Sequence, residues 1–149
     1  MLILGMAGGA AILGGLWATS RLAIDTNPPA STAVVERGNV IYQANCAVCH
    51  GPSGEGESPA WKTPNADGTY PGPPHDSTGH TWHHADQLLF DIVKDGGSRF
   101  NSPTFRSRMP ASGGTLTDDE IRAVLAYIKT LWGPGEREAQ RGVTERAPR

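Results

Sequence analysis

Two cysteines, and only two, stand three residues apart in this chain of 149, and a histidine follows the second: Cys46-Ala47-Val48-Cys49-His50. No other feature restricts the fold so tightly. With two cysteines and five histidines available, the arrangement arises by chance roughly once in two thousand sequences. Two thiols at this spacing can each add to one vinyl group of a haem. The next residue then lies under the iron, where the imidazole of His50 can ligate it. Covalent attachment keeps a large flat cofactor in a chain too short to bury it fully. Two other chemistries use such cysteines. A thioredoxin-like redox pair needs a βαβ setting, and the chain shows no strand pattern. A zinc site could draw on Cys46, Cys49 and two of His75, His80, His83 and His84. Those histidines lack finger-like spacing, and zinc leaves His50 idle.

The segments around the motif are short helices and long loops. Val34, Ile41 and Tyr42 recur at helical spacing, so residues 34–45 form a helix that runs into the cysteines. Residues 51–81 are rich in Gly, Pro, Ser and Asp and read as loop throughout. So long a loop in a small domain argues against itself unless it wraps a cofactor. Residues 84–95 carry Leu88, Leu89, Ile92 and Val93 on one face, and Gly96-Gly97 stops that helix. Residues 98–114 are loop again. Thr117 and Glu120 form a capping box before Ile121, Val124, Leu125, Ile128, Leu131 and Trp132, which follow a 3.6-residue period. Gly133-Pro134-Gly135 ends this helix, and 133–149 reads as a disordered polar tail.

The N-terminus is different in kind. Residues 2–18 carry no charge and span about 25 Å as a helix, slightly short of a bilayer core. Extension to Ile24, with Arg21 snorkelling and Trp17 at the interface, makes the run long enough. A cleaved secretory signal is the alternative, but no small-x-small site follows the run. The absence of a preceding Lys or Arg fits neither. Either way the rest of the chain is exported. Residues 25–33, with Pro28-Pro29, form a tether. The expected organisation is an anchor at 1–24, a linker at 25–33, a folded domain at 34–132 and a tail at 133–149.

An iron that only exchanges electrons needs a sixth ligand, because an open site binds gases or peroxide. A methionine opposite the histidine supplies it and raises the potential. Met1 and Met6 lie in the apolar N-terminal run, so Met109 is the candidate. It sits in a loop, flanked by Arg108 and by Pro110, which stiffens it; core filling is the alternative role. The histidines at 75, 80, 83 and 84 suggest either a second metal such as copper or a pH-sensitive surface loop. The net charge of −2, with charges interspersed, excludes a nucleic-acid binder.

The order of these features resembles class I cytochrome c over residues 34–132. In that family a first helix carries a glycine and an aromatic four residues apart, then the haem motif after another four; Gly38, Tyr42 and Cys46 fit. The resemblance implies a small all-α fold of three to four helices with long loops around haem c, here preceded by a transmembrane helix. It implies that Gly38 and Tyr42 pack near Leu125 and Ile128. It implies that Pro59 offers its carbonyl to the other nitrogen of His50, fixing the ring, and that Met109 is the axial methionine. The stretch from Trp61 to Trp82 is longer and more proline-rich than the family pattern. Trp61 and Trp82 are candidate donors to the haem propionates, with aromatic packing as the alternative. Lys94, Arg99, Arg106 and Arg108 would border the exposed haem edge, either as a docking rim for an acidic partner or as a solvated face.

The function expected is electron transfer without catalysis, on the periplasmic or comparable side of a membrane. The partners expected are a quinol-oxidising complex or a dehydrogenase as donor, and a terminal oxidase or photosynthetic reaction centre as acceptor. The alternative is a haem sensor or peroxidase-like enzyme, which requires that Met109 be displaceable.

Overall fold

The computed structural model describes residues 30–148. The expected anchor, and the linker as far as residue 29, lie outside the described residues. No helix among the described residues is long and apolar enough to cross a membrane.

Among the described residues five helices follow in order: α1 (Thr32–Asn45), α2 (Ala47–His50), α3 (Asp86–Asp95), α4 (Asp118–Thr130) and α5 (Pro134–Arg146). Single 3-10 turns occupy Thr81–His83 and Gly97–Phe100. No strand occurs among the described residues, only two isolated bridges. The first helix begins at Thr32, two residues before the sequence pattern starts, because the Ser31 side chain accepts from Val34 N.

The core joins α1, α3 and α4. Tyr42, Leu89, Phe90, Val93, Ile121, Val124, Leu125, Ile128 and Trp132 form one buried cluster. Full burial of each such aliphatic or aromatic side chain contributes about 1.5–3 kcal/mol. The α1–α4 contact depends on Gly38. A Cβ there would meet the Ala123 carbonyl oxygen at 2.0 Å and Tyr127 Cβ at 3.1 Å. The expected register is therefore half right. Tyr42 shares the core with Leu125 and Ile128, but Gly38 crosses at Ala123 and Tyr127. The Tyr42 ring also lies 5.1 Å from that of Tyr127.

α4 starts where the sequence places it. Thr117 Oγ1 accepts from Glu120 N at 3.3 Å, and Glu120 Oε2 accepts from Thr117 N at 2.9 Å, so both halves of the capping box are made.

The C-terminal segment corrects the expectation of a disordered tail. Gly133 is an N-cap and Pro134 occupies the first turn of α5. Proline there costs no hydrogen bond and pre-sets φ, so Gly-Pro ends one helix by opening the next. Few apolar residues hold α5; its anchor is Gln140, only 3% exposed. The Gln140 amide donates to Asp86 Oδ1 at 2.6 Å, Thr144 Oγ1 at 3.0 Å and the His84 carbonyl at 3.3 Å. Lys129 Nζ pairs with Asp86 at 2.6 Å. Arg137 donates to the Trp132 carbonyl. A hydropathy pattern does not reveal a helix docked through an amide.

Candidate haem-binding site

The motif folds as a helical turn continuing from α1. Cys46 N donates to the Tyr42 carbonyl at 2.8 Å, and His50 N donates to the Cys46 carbonyl at 2.9 Å. The Tyr42 hydroxyl, buried in the core, donates to the Gly51 carbonyl at 3.0 Å and pins the end of the turn. Cys49 is exposed and Cys46 half-buried. Burial, then the neighbouring Cys49, push the Cys46 thiol up to about 11. That shift is opposite to the one that activates a redox thiol.

His50 is 6% exposed. Burial lowers its pKa, against a smaller opposing effect of its backbone hydrogen bond and of Glu57. Burial thus favours the neutral ring, the form that binds iron. Its Nδ1 lies 2.8 Å from the Pro73 carbonyl oxygen, which makes Nδ1 the protonated nitrogen and leaves Nε2 for a ligand.

Pro73, and not Pro59, is thus the residue that orients the ring. Pro59 is exposed, in a run of turns that begins a long excursion. The chain returns to His50 only at Gly72-Pro73-Pro74. Gly72 makes the return possible, since a Cβ there would meet the Cys49 carbonyl oxygen at 2.1 Å. The proline count from the ligating histidine failed because residues 57–72 intervene. The glycine before Pro73, which lets backbone approach backbone, was the available signal.

A cavity of about 700 Å³ opens beside the motif, within the range of small-molecule and cofactor sites. Cys46, Cys49, His50 and Met109 line it, with Leu89 and Ile128 among its apolar walls. Met109 is set in place by its backbone. Its N donates to Ser107 Oγ at 3.1 Å, and its carbonyl accepts from Gly97 N at 3.0 Å. The glycines after α3 therefore do more than end a helix: Gly97 ties the Met109 loop to it.

His75 also lines the cavity, stacked on His50 with centroids 3.9 Å apart and planes 23° off parallel. Its Nδ1 is buried and has no hydrogen-bond partner among the described residues. Burial, then His50 and His80, hold its pKa well below the usual imidazole value. A buried polar atom without a partner costs about 1–3 kcal/mol. A cavity with two thiols, a fixed imidazole and such an orphan at its wall fits a haem, which brings both apolar mass and polar edges.

The remaining candidates separate. Trp61 lines the cavity and stacks on His80, centroids 5.2 Å apart and 8° off parallel. Trp82 packs against the core and stacks on His83 at 3.6 Å, and its Nε1 is buried without a partner among the described residues. His84 meets His80 edge-on at 5.3 Å. The cluster is thus divided among aromatic contacts: His75 with His50, His83 with Trp82, and His80 with both Trp61 and His84. Among the described residues, no three His, Cys, Asp or Glu side chains converge on a metal position.

The basic rim is largely neutralised from within. Lys94 pairs with Asp118 at 2.8 Å, Arg99 with Asp95 at 3.1 Å, and Arg108 with Glu57 at 2.7 Å. Arg106 donates to the Asp67 carbonyl at 3.1 Å. Acidic residues distant in sequence supply most of these partners, so a local reading of charge missed them.

The family model for cytochrome c matches residues 35–132. Among solved structures, the chain is similar to cytochrome cL of the marine methylotrophic bacterium Methylophaga aminisulfidivorans. The TM-score is 0.54 at 18% identity, covering 80% of this chain and 69% of that one; at this identity the likeness is one of fold. No curated protein sequence matches the chain. Cys46, Cys49 and His50 beside a cavity of cofactor size, in a fold that the family model spans almost from α1 to the end of α4, place the chain in the cytochrome c family, as a protein that carries covalent haem c and transfers electrons.

Proposed function

We propose that this protein is a membrane-tethered, single-haem electron carrier whose axial ligands are His50 and Met109. The observation that carries this reading is the pairing of His50, its Nδ1 fixed by Pro73, with Met109 on the lining of one mainly apolar cavity. Haem supplies a one-electron couple once attached. The chain does the rest. Pro73 holds the imidazole in one tautomer, and Ser107 and Gly97 hold the Met109 backbone. Leu89, Val93, Leu125 and Ile128 exclude water, and a closed coordination sphere suppresses reaction with oxygen or peroxide. Trp61, His75 and the orphaned Trp82 Nε1 are the candidate partners of the propionates.

The uncharged run at 2–18 supports an anchor that places the haem domain on the periplasmic side. Electrons would come from a quinol-oxidising complex or a dehydrogenase. They would go to a terminal oxidase or a photosynthetic reaction centre, with the protein a shuttle or a fixed subunit. Voltammetry of the detergent-solubilised holoprotein tests the carrier function. A reversible one-electron wave is expected, with a lower midpoint potential in Met109→Ala. Peroxidase turnover or ready gas binding by the wild type would instead favour a sensor or enzyme.

A further inference from the structure

The loop after the attachment helix and the loop that carries Met109 are far apart in sequence yet laced together. Arg108 Nη2 donates to both carboxylate oxygens of Glu57, at 2.8 and 2.7 Å. The same carboxylate accepts from Gly72 N at 2.9 Å, and Glu57 N donates back to the Gly72 carbonyl at 2.9 Å. Gly72 immediately precedes Pro73, which orients His50; Arg108 immediately precedes Met109. One carboxylate therefore joins the two sides of the haem site. Tyr70 N donates to the Arg106 carbonyl at 3.1 Å, and the Tyr70 ring stacks on Phe105 at 5.2 Å, which extends the same seam. Glu57, Tyr70, Phe105 and Arg108 all border the cavity. The side chains of Glu57 and Arg108 are 36% and 47% exposed, so the pair lies across the mouth and not in the core.

We propose that the Glu57–Arg108 pair is a clasp, two positioning residues that hold the Met109 loop closed and set how readily an outside ligand displaces Met109 from the iron. The proposal rests on the assignment of Met109 as axial ligand. The Met109 loop has no regular helix between Asn101 and Thr117, so discrete contacts such as these govern its opening. A loop that opens in steps releases its ligand in proportion to the population of the open state.

The test is a titration of the ferric holoprotein with imidazole, followed by the haem absorption. Glu57→Gln keeps an oxygen for Gly72 N while removing the charge; Arg108→Gln removes the other partner. Each is expected to raise apparent imidazole affinity about fivefold, the upper range for one exposed ion pair. The double variant should rise no further than either single, because the two act through one contact. Arg99→Gln, which breaks an exposed pair with Asp95 outside the seam, should leave the affinity unchanged. Imidazole binding within twofold of wild type in both single variants, or single effects that multiply in the double, would overturn the clasp while Met109 stays on the iron. A wild-type ferric spectrum without the thioether band would remove Met109 from the iron and overturn both the ligation and the clasp.

Discussion

Gly38→Ala is the sharpest test of how α1 and α4 are packed. An added Cβ would stand 2.0 Å from the Ala123 carbonyl oxygen and 2.5 Å from its carbon. Both obstacles are backbone, so no rotamer change relieves them, and the helices must separate by about 1 Å. Inserting one carbon into a packed interior costs about 1–3 kcal/mol, and a backbone obstacle puts this case at the upper end. Alanine repays about 1 kcal/mol as the better helix former. The net expectation is a loss of about 2 kcal/mol, a fall in melting temperature on the order of 10 °C for a domain of this size. Gly135→Ala is the control. Gly135 lies in the first turn of α5, and an added Cβ meets nothing within 4 Å, so only the propensity gain remains, up to about 1 kcal/mol. Urea unfolding of the ferric holoprotein measures both. Equal stability of Gly38→Ala and wild type would refute the close crossing on which the core rests.

Three further outcomes follow from the same contacts. Gln140→Ala removes the amide that ties α5 to Asp86, Thr144 and His84 and should cost about 1–3 kcal/mol in urea unfolding; no loss would mean that α5 is undocked. Burial lowers the pKa of His80 and, separately, of His84. Both therefore bind protons more readily unfolded than folded, and stability should fall as pH drops from 7.5 to 5.5, through the ordinary imidazole range and above that of the carboxylates. His80→Asn and His84→Asn should each reduce that slope, His75, whose pKa burial also lowers, supplying a remainder, whereas an unchanged slope would assign none of it to His80 or His84. Because three of the four rim cations, Lys94, Arg99 and Arg108, are paired with carboxylates, the rate of reduction by ferrocyanide should depend only weakly on ionic strength; a steep decline with salt would restore an unpaired positive rim.

Local rules made much of the molecule legible. The helices at α1, α3 and α4 are written in apolar spacing and in the Thr117–Glu120 capping box, and Cys46, Cys49 and His50 follow from chemistry that few other motifs share. What stayed hidden was long-range. Pro73 takes the place expected of Pro59 because an excursion of turns intervenes, and only the close approach of Gly72 to Cys49 marks the return. The docking of α5 through Gln140 is invisible to hydropathy. The partners of Lys94 and Arg108 lie 24 and 51 residues away, so their neutralisation could not be read from neighbouring residues.

Ligation of the iron by both His50 and Met109 is tested most directly by the absorption spectrum of the oxidised, detergent-solubilised holoprotein. The weak red-edge band of ferric haem bound to a thioether is expected, and its loss in Met109→Ala. A haem spectrum that lacks the band in the wild type, or one that keeps it after the substitution, would contradict the ligation.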